Sequence, residues 1–169
     1  MWCFILWCRV PYGAVVAQND GFIFSGDKAE SAQDSRQFIV AGEKLAISQL
    51  KKRFPSYTVT PEEADCGGTC ASIKGKNGTL IYVSYGGDSS FSFYNISSDA
   101  RSSRDILGNA VGTSLQKAIG ANIAKCDLGE SMTCPSAQIK GLSYIAVGCT
   151  WKGVTIPACA KVGGFEISR

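Results

Sequence analysis

Apolar and polar positions change period several times along the chain, and each change predicts an element. From Gln18 to Gln37 the sequence is polar apart from Phe22-Ile23-Phe24, and it reads as a flexible lead-in to a domain that starts near Phe38. In EKLAISQLKKRF, Leu45, Ile47, Leu50 and Phe54 trace an approximate helical stripe. Pro55 stops it, because a proline has no amide proton to continue the ladder. YTVT, from Tyr57, then alternates as a half-buried strand does. ASIK and LIYVSY flank Lys76-Asn77-Gly78, and Asn-Gly suits the positive φ angles of a two-residue hairpin turn, so these runs predict an antiparallel pair. Gly86-Gly87-Asp88-Ser89 separates that pair from FSFYNI, a third strand whose aromatic residues fit a half-buried surface.

A Ser- and Arg-rich connection follows. Gly112-Thr113-Ser114 then supplies a cap for a second helix, in which Leu115, Ala118, Ile119 and Ile123 fall on one face. Cys126 to Cys134 reads as a polar loop, KGLSYIAVG as a buried strand and GFEIS as a short final strand. The fold class these elements predict is α+β: an antiparallel sheet with two main helices packed on one face and loops stapled by disulfides. A single domain spans 38–169, and neither an internal repeat nor a low-complexity tract is present.

Composition narrows the class. The chain is 45% hydrophobic and 18% charged, which excludes global disorder, and its 19 glycines favour tight turns over long helices. A net charge of +3 and a longest basic run of Lys51-Lys52-Arg53 give too weak a field to argue for nucleic acid; the run reads as a solvated helix face. There is no histidine, which removes the usual general base, the commonest zinc ligand and every Ser-His or Cys-His pair. A hydrolase built from this chain would need a lysine or carboxylate base.

Residues 1–17, MWCFILWCRVPYGAVVA, carry an apolar stretch and a Val15-x-Ala17 cleavage pattern, as an export signal does. The match is imperfect, since no basic residue precedes the apolar stretch and Arg9 and Pro11 interrupt it. Trp7 before Cys8 disfavours a lipid anchor, and the segment is too short for a transmembrane span. Beyond Cys3 and Cys8, six cysteines remain: Cys66, Cys70, Cys126, Cys134, Cys149 and Cys159. Their spacing does not match a metal knuckle, and oxidation explains an even set more simply. Fifteen pairings are possible in principle. Local closure of Cys66 with Cys70, Cys126 with Cys134 and Cys149 with Cys159 is preferred, because each bond staples a Gly- or Pro-containing loop. Such bonds place the protein in the periplasm or outside the cell.

Four patterns invite chemistry and have simpler readings. Cys66-Gly-Gly-Thr-Cys70 has three residues between its thiols, where thioredoxin-like exchange uses two at a helix start, so it reads as a staple. Ser114-Leu-Gln-Lys117 matches S-x-x-K, as do Ser25 with Lys28 and Ser48 with Lys51, but the partner motifs S-D-N and K-T-G are absent; helix capping explains the first. Glu62, Glu63 and Asp65, like Asp127 and Glu130, read as solubilising surface rather than a carboxylate pair or cation site. Asn77-Gly-Thr and Asn95-Ile-Ser match glycosylation acceptors, which carry meaning only in a eukaryotic secretory pathway.

The stretches LKKRFPSYTV, LGNAVGTSLQKAI, AKCDLGESMTC and LSYIAVG resemble the RpoE-regulated lipoprotein family of bacterial envelopes, whose function is uncharacterised. The resemblance rests on Phe54-Pro55, Gly108 to Leu115, the Cys126 to Cys134 loop and Tyr144, and departs at the leader, where a lipobox is missing. It implies a Gram-negative periplasmic α+β protein and supplies no active site. The function expected is a noncatalytic envelope protein, a protein- or wall-binding module without cofactor or metal. One version of it is a lysozyme or protease inhibitor, although the slightly basic charge is poorly matched to a cationic enzyme. The competing expectation is a histidine-free envelope enzyme, either a wall hydrolase or a thiol oxidoreductase.

Overall fold

A computed structural model describes residues 20–63, 69–76, 80–84, 91–92, 95–119, 126–127, 132–149, 151 and 155–168. Its strands are β1 (Phe22–Phe24), β2 (Lys28–Ser31), β3 (Phe38–Val40), β4 (Lys44–Leu45), β5 (Thr58–Glu63), β6 (Thr69–Lys74) and β7 (Leu80–Ser84). They continue as β8 (Phe91–Ser92), β9 (Asn95–Ser98), β10 (Arg104–Asp105), β11 (Thr133–Pro135), β12 (Leu142–Val147) and β13 (Lys161–Ser168). The helices are α1 (Ile47–Arg53) and α2 (Leu115–Ile119).

This architecture overturns the α+β expectation: the described fold is mostly β, and its helices are only seven and five residues long. The helical stripe shortens because Leu45 belongs to β4, which pairs with β8, and the helix starts only after Ala46. The Gln49 side chain accepts a hydrogen bond from the Ala46 amide at 2.8 Å and closes that end. A helix this short does not hold itself; burial of Leu50, with Phe54 just beyond, fixes it against the core. The expected helix position Ile123 lies outside the described residues.

The layer that the helices were expected to form is a second sheet, and the supposed lead-in builds it. Sheet order is β10-β1-β2-β3 in one layer and β11-β12-β13-β9-β7-β6-β5 in the other, with β4-β8 apart. Phe22 and Phe24 are fully buried and Ile23 between them is not, the alternation of a strand with one face on a core. Phe24 stacks on Phe165 of β13 at 5.2 Å, and Phe22 meets Phe54 and Tyr57 at 6.3 and 5.3 Å. The segment 18–37, read as flexible, therefore supplies two strands and two core aromatics over its described part. Asp20 and Ser31 from it are also buried, and the Ser31 hydroxyl meets the Tyr57 hydroxyl at 2.7 Å.

The strands expected around Asn77-Gly78 pair antiparallel as β6 and β7, with Lys74 opposite Leu80; the turn itself lies outside the described residues. β5 and β9 flank that hairpin, and β12 and β13 pair as antiparallel neighbours. Between Ile145 and Ala146 the register slips: Ile145 faces Gly164 and Ala146 faces Val162, which leaves Gly163 as the extra residue of a bulge. Two disulfides close loops beside this pair, Cys126–Cys134 against β11 and Cys149–Cys159 across the β12–β13 connection. These are two of the three local closures expected. Cys70 is buried in β6, opposite Glu62 and Ser84, while Cys66 lies outside the described residues.

Candidate functional site

The connection between β10 and α2, plain in sequence, holds the most unusual surface. Asp105 ends β10 and is only 1% exposed, yet its neighbours Ile106 and Leu107 are 58% and 51% exposed. The Asp105 carboxylate shapes the chain into a loop. Oδ1 accepts the Leu107 amide at 2.8 Å and the Asn109 amide at 2.9 Å, and Oδ2 accepts the Asn109 side-chain amide at 2.8 Å and the Tyr144 hydroxyl at 2.7 Å. Gly108, at φ 84°, makes the left-handed turn that brings Asn109 back to the anchor. Asp105 and Asn109 also exchange a backbone hydrogen bond of 3.0 Å, so the loop is closed at its base and the apolar pair is held outward.

Tyr144 fixes the anchor to the opposite sheet. Its ring packs on Phe165 at 6.0 Å, and its hydroxyl lies 2.7 Å from Asp105 and 3.4 Å from Ser136. Burial pushes the phenol up to about 12; the Ser136 hydrogen bond opposes the shift, and Asp105 adds to it by hydrogen bond and charge. Tyr144 is therefore a neutral donor across the physiological range. Tyr57 is raised as well, first by burial, with the Ser31 hydrogen bond opposing and the Asp20 charge adding. Both phenols are enclosed and hydrogen-bonded.

Beside the tip runs a groove of about 530 Å³. Its lining includes the exposed Ile106 and the nearly buried Ile139, Ile167 and Ala41, with the exposed Asp27 and Lys140 beside them. Its shape depends on two glycines packed backbone to backbone. A Cβ at Gly26 would lie 1.8 Å from the Lys140 carbonyl oxygen, and one at Gly141 would lie 2.2 Å from the Gly26 oxygen. Ser136 accepts the amides of Gln138 and Ile139 at 3.3 and 3.0 Å and holds the other bank in a tight turn.

The residues singled out in the sequence do not converge here. Ser114 and Lys117 are both exposed, on the turn into α2 and on its outer side; the Thr113 hydroxyl accepts the Ala110 amide at 3.1 Å. Ser25 bonds the Lys28 carbonyl at 3.1 Å within a β1–β2 turn, and Ser48 and Lys51 are exposed on α1. Glu62 accepts the Ser72 hydroxyl at 2.5 Å on the β5–β6 surface, and Asp127 pairs backbone to backbone with Thr133; Asp65 and Glu130 lie outside the described residues. Asn95 is half-buried within β9, between Ser84 and Ser168, and Asn77 lies outside the described residues. Among the described residues, no group of three or more Cys, Asp or Glu side chains is placed to hold a metal ion.

Asp105, Ile106 and Leu107 were missed by sequence reasoning. An Asp followed by Gly-Asn is a turn signal, and two large apolar residues between them were the clue. No family model matches the chain, and no curated protein matches it. A crystal structure of the uncharacterized protein YfeY from Escherichia coli is similar in fold, with a TM-score of 0.52 at 14% identity over 78% of this chain and 93% of that one. At that identity the likeness is one of fold alone.

Proposed function

We propose that the chain is a noncatalytic binding module of the bacterial envelope, of the RpoE-regulated lipoprotein type, and that it engages a protein partner through the Ile106–Leu107 tip and the adjoining groove. The observation that carries this reading is the contrast within one loop: a carboxylate buried to 1% exposure holds two neighbouring side chains more than half exposed. Exposed apolar side chains scattered on a surface need no explanation, but a pair fixed outward by four hydrogen bonds beside an apolar groove has the anatomy of a contact site. Preorganisation of this kind lowers the ordering cost of association.

Two disulfides support a place outside the reducing cytoplasm. No helix among the described residues is long and apolar enough to cross a membrane. The buried, hydrogen-bonded state of Tyr57 and Tyr144 favours a structural role for both phenols over an activated one. The experiment is retention of envelope extract on the immobilised full-length chain. Wild type and V147D, altered at an exposed apolar residue outside the groove, should retain material saturably, and I106D/L107D should retain about tenfold less. Equal retention by all three overturns the reading.

A further inference from the structure

The face that carries the tip is complementary to itself. It presents an exposed apolar pair, Ile106 and Leu107; beside it a concavity lined by Ile106 itself and by the nearly buried Ile139 and Ile167; and one exposed charge of each sign, Asp27 and Lys140, in that lining. A contact between two copies about a two-fold axis requires this property, because each patch must supply both halves of every interaction. We infer that the partner of this face is a second copy of the chain, with each tip seated in the other copy's groove and each Lys140 set against the other copy's Asp27. The inference rests on the binding role proposed above and names its partner.

Ordinary sheet pairing is a poor alternative route to self-association. β5 carries Pro61 and β11 ends at Pro135, so each outer strand of the large sheet lacks an amide donor there. On the small sheet, the outer edge of β3 is occupied by side chains: Arg53 donates to the Phe38 carbonyl at 3.1 Å and is paired with Glu43 at 2.8 Å. At the other edge, the outer side of β10 is covered by the loop that returns on it: Asp105 donates its amide to the Asn109 carbonyl at 3.0 Å, and Arg104 bridges to Ala110. A side-chain contact through the tip and groove remains available.

Sedimentation equilibrium of the full chain, from micromolar concentrations up to about 1 mM, tests this. The wild type should pass from monomer to dimer, and I106D/L107D should raise the dissociation constant by more than about tenfold while V147D leaves it unchanged. The charges give a sharper discrimination. D27K alone and K140D alone should each weaken self-association, since each places like charges across the axis twice. An equimolar mixture of the two should restore dimers, because every pair across that axis is then opposite in sign. A wild type that stays monomeric throughout, or single charge variants that dimerise as well as their mixture, overturns the inference. If the chain is monomeric but I106D/L107D still loses envelope material, the partner is another protein and the binding reading stands; if retention is also unchanged, both fall.

Discussion

At the residue scale, Asp105 and Tyr144 carry the site without touching solvent. Replacing Asp105 with Ala strands four donors around a closed pocket and should cost about 3 kcal/mol or more in denaturant unfolding, while Asp105→Asn keeps one acceptor oxygen and should cost less. Tyr144 makes a pH-dependent contribution whose sign follows from its raised pKa. The unfolded chain releases a phenolic proton near pH 10 and the folded protein near about 12, so between these values the folded state holds more protons and stability falls as pH rises. The contribution is intact below about pH 10. Unfolding free energies of wild type and Tyr144→Phe should therefore converge by about 2 to 3 kcal/mol from pH 9 to 12; a constant gap contradicts the assignment. The turn at Asp105 left a signal in the sequence, but its link to Tyr144 did not, because the hydroxyl that completes the anchor arrives from 39 residues away.

At the element scale, legibility followed local signals. The β6–β7 hairpin was legible from the Asn77-Gly78 turn between its strands, although β6 is buried at every position from Cys70 to Ile73. β12 and β13, by contrast, alternate between buried and more exposed residues apart from the Gly163 bulge. β1 stayed hidden because three residues are too few to show a period, and only packing reveals Phe22 and Phe24 as core. The first helix was overestimated because Leu45 has the spacing of a helical stripe but pairs with β8. Glycines separate two kinds of constraint. Gly26→Ala drives a methyl into the Lys140 carbonyl and should lower stability by about 2 kcal/mol or more, with loss of the groove's shape. Gly108→Ala meets open space, and its cost, about 1 kcal/mol, comes from the left-handed backbone alone. Thermal melts of the two variants should rank in that order, and the reverse ranking would count against the close packing of residues 26 and 141.

At the scale of the whole molecule, two sheets enclose one core, and disulfides tie down the loops on the side of β11 to β13. The predicted pairing of Cys126 with Cys134 and Cys149 with Cys159 was legible because each pair closes a short Gly- or Pro-containing stretch of sequence. Each closed loop, with sequence separations of 8 and 10, stabilises the fold by about 2.5 kcal/mol through restriction of the unfolded chain. Cys134 is fully buried while Cys159 is exposed, so replacing the first pair with serines should cost more than replacing the second, a difference readable in urea midpoints. What this framework delivers is a rigid apolar tip, and amide hydrogen exchange followed by NMR tests that most directly. The Leu107 and Asn109 amides should exchange as slowly as those within the strands and become fast in Asp105→Ala while the β12–β13 amides stay protected. Exchange at Leu107 and Asn109 in the wild type as fast as in an unstructured peptide would contradict a preorganised docking loop.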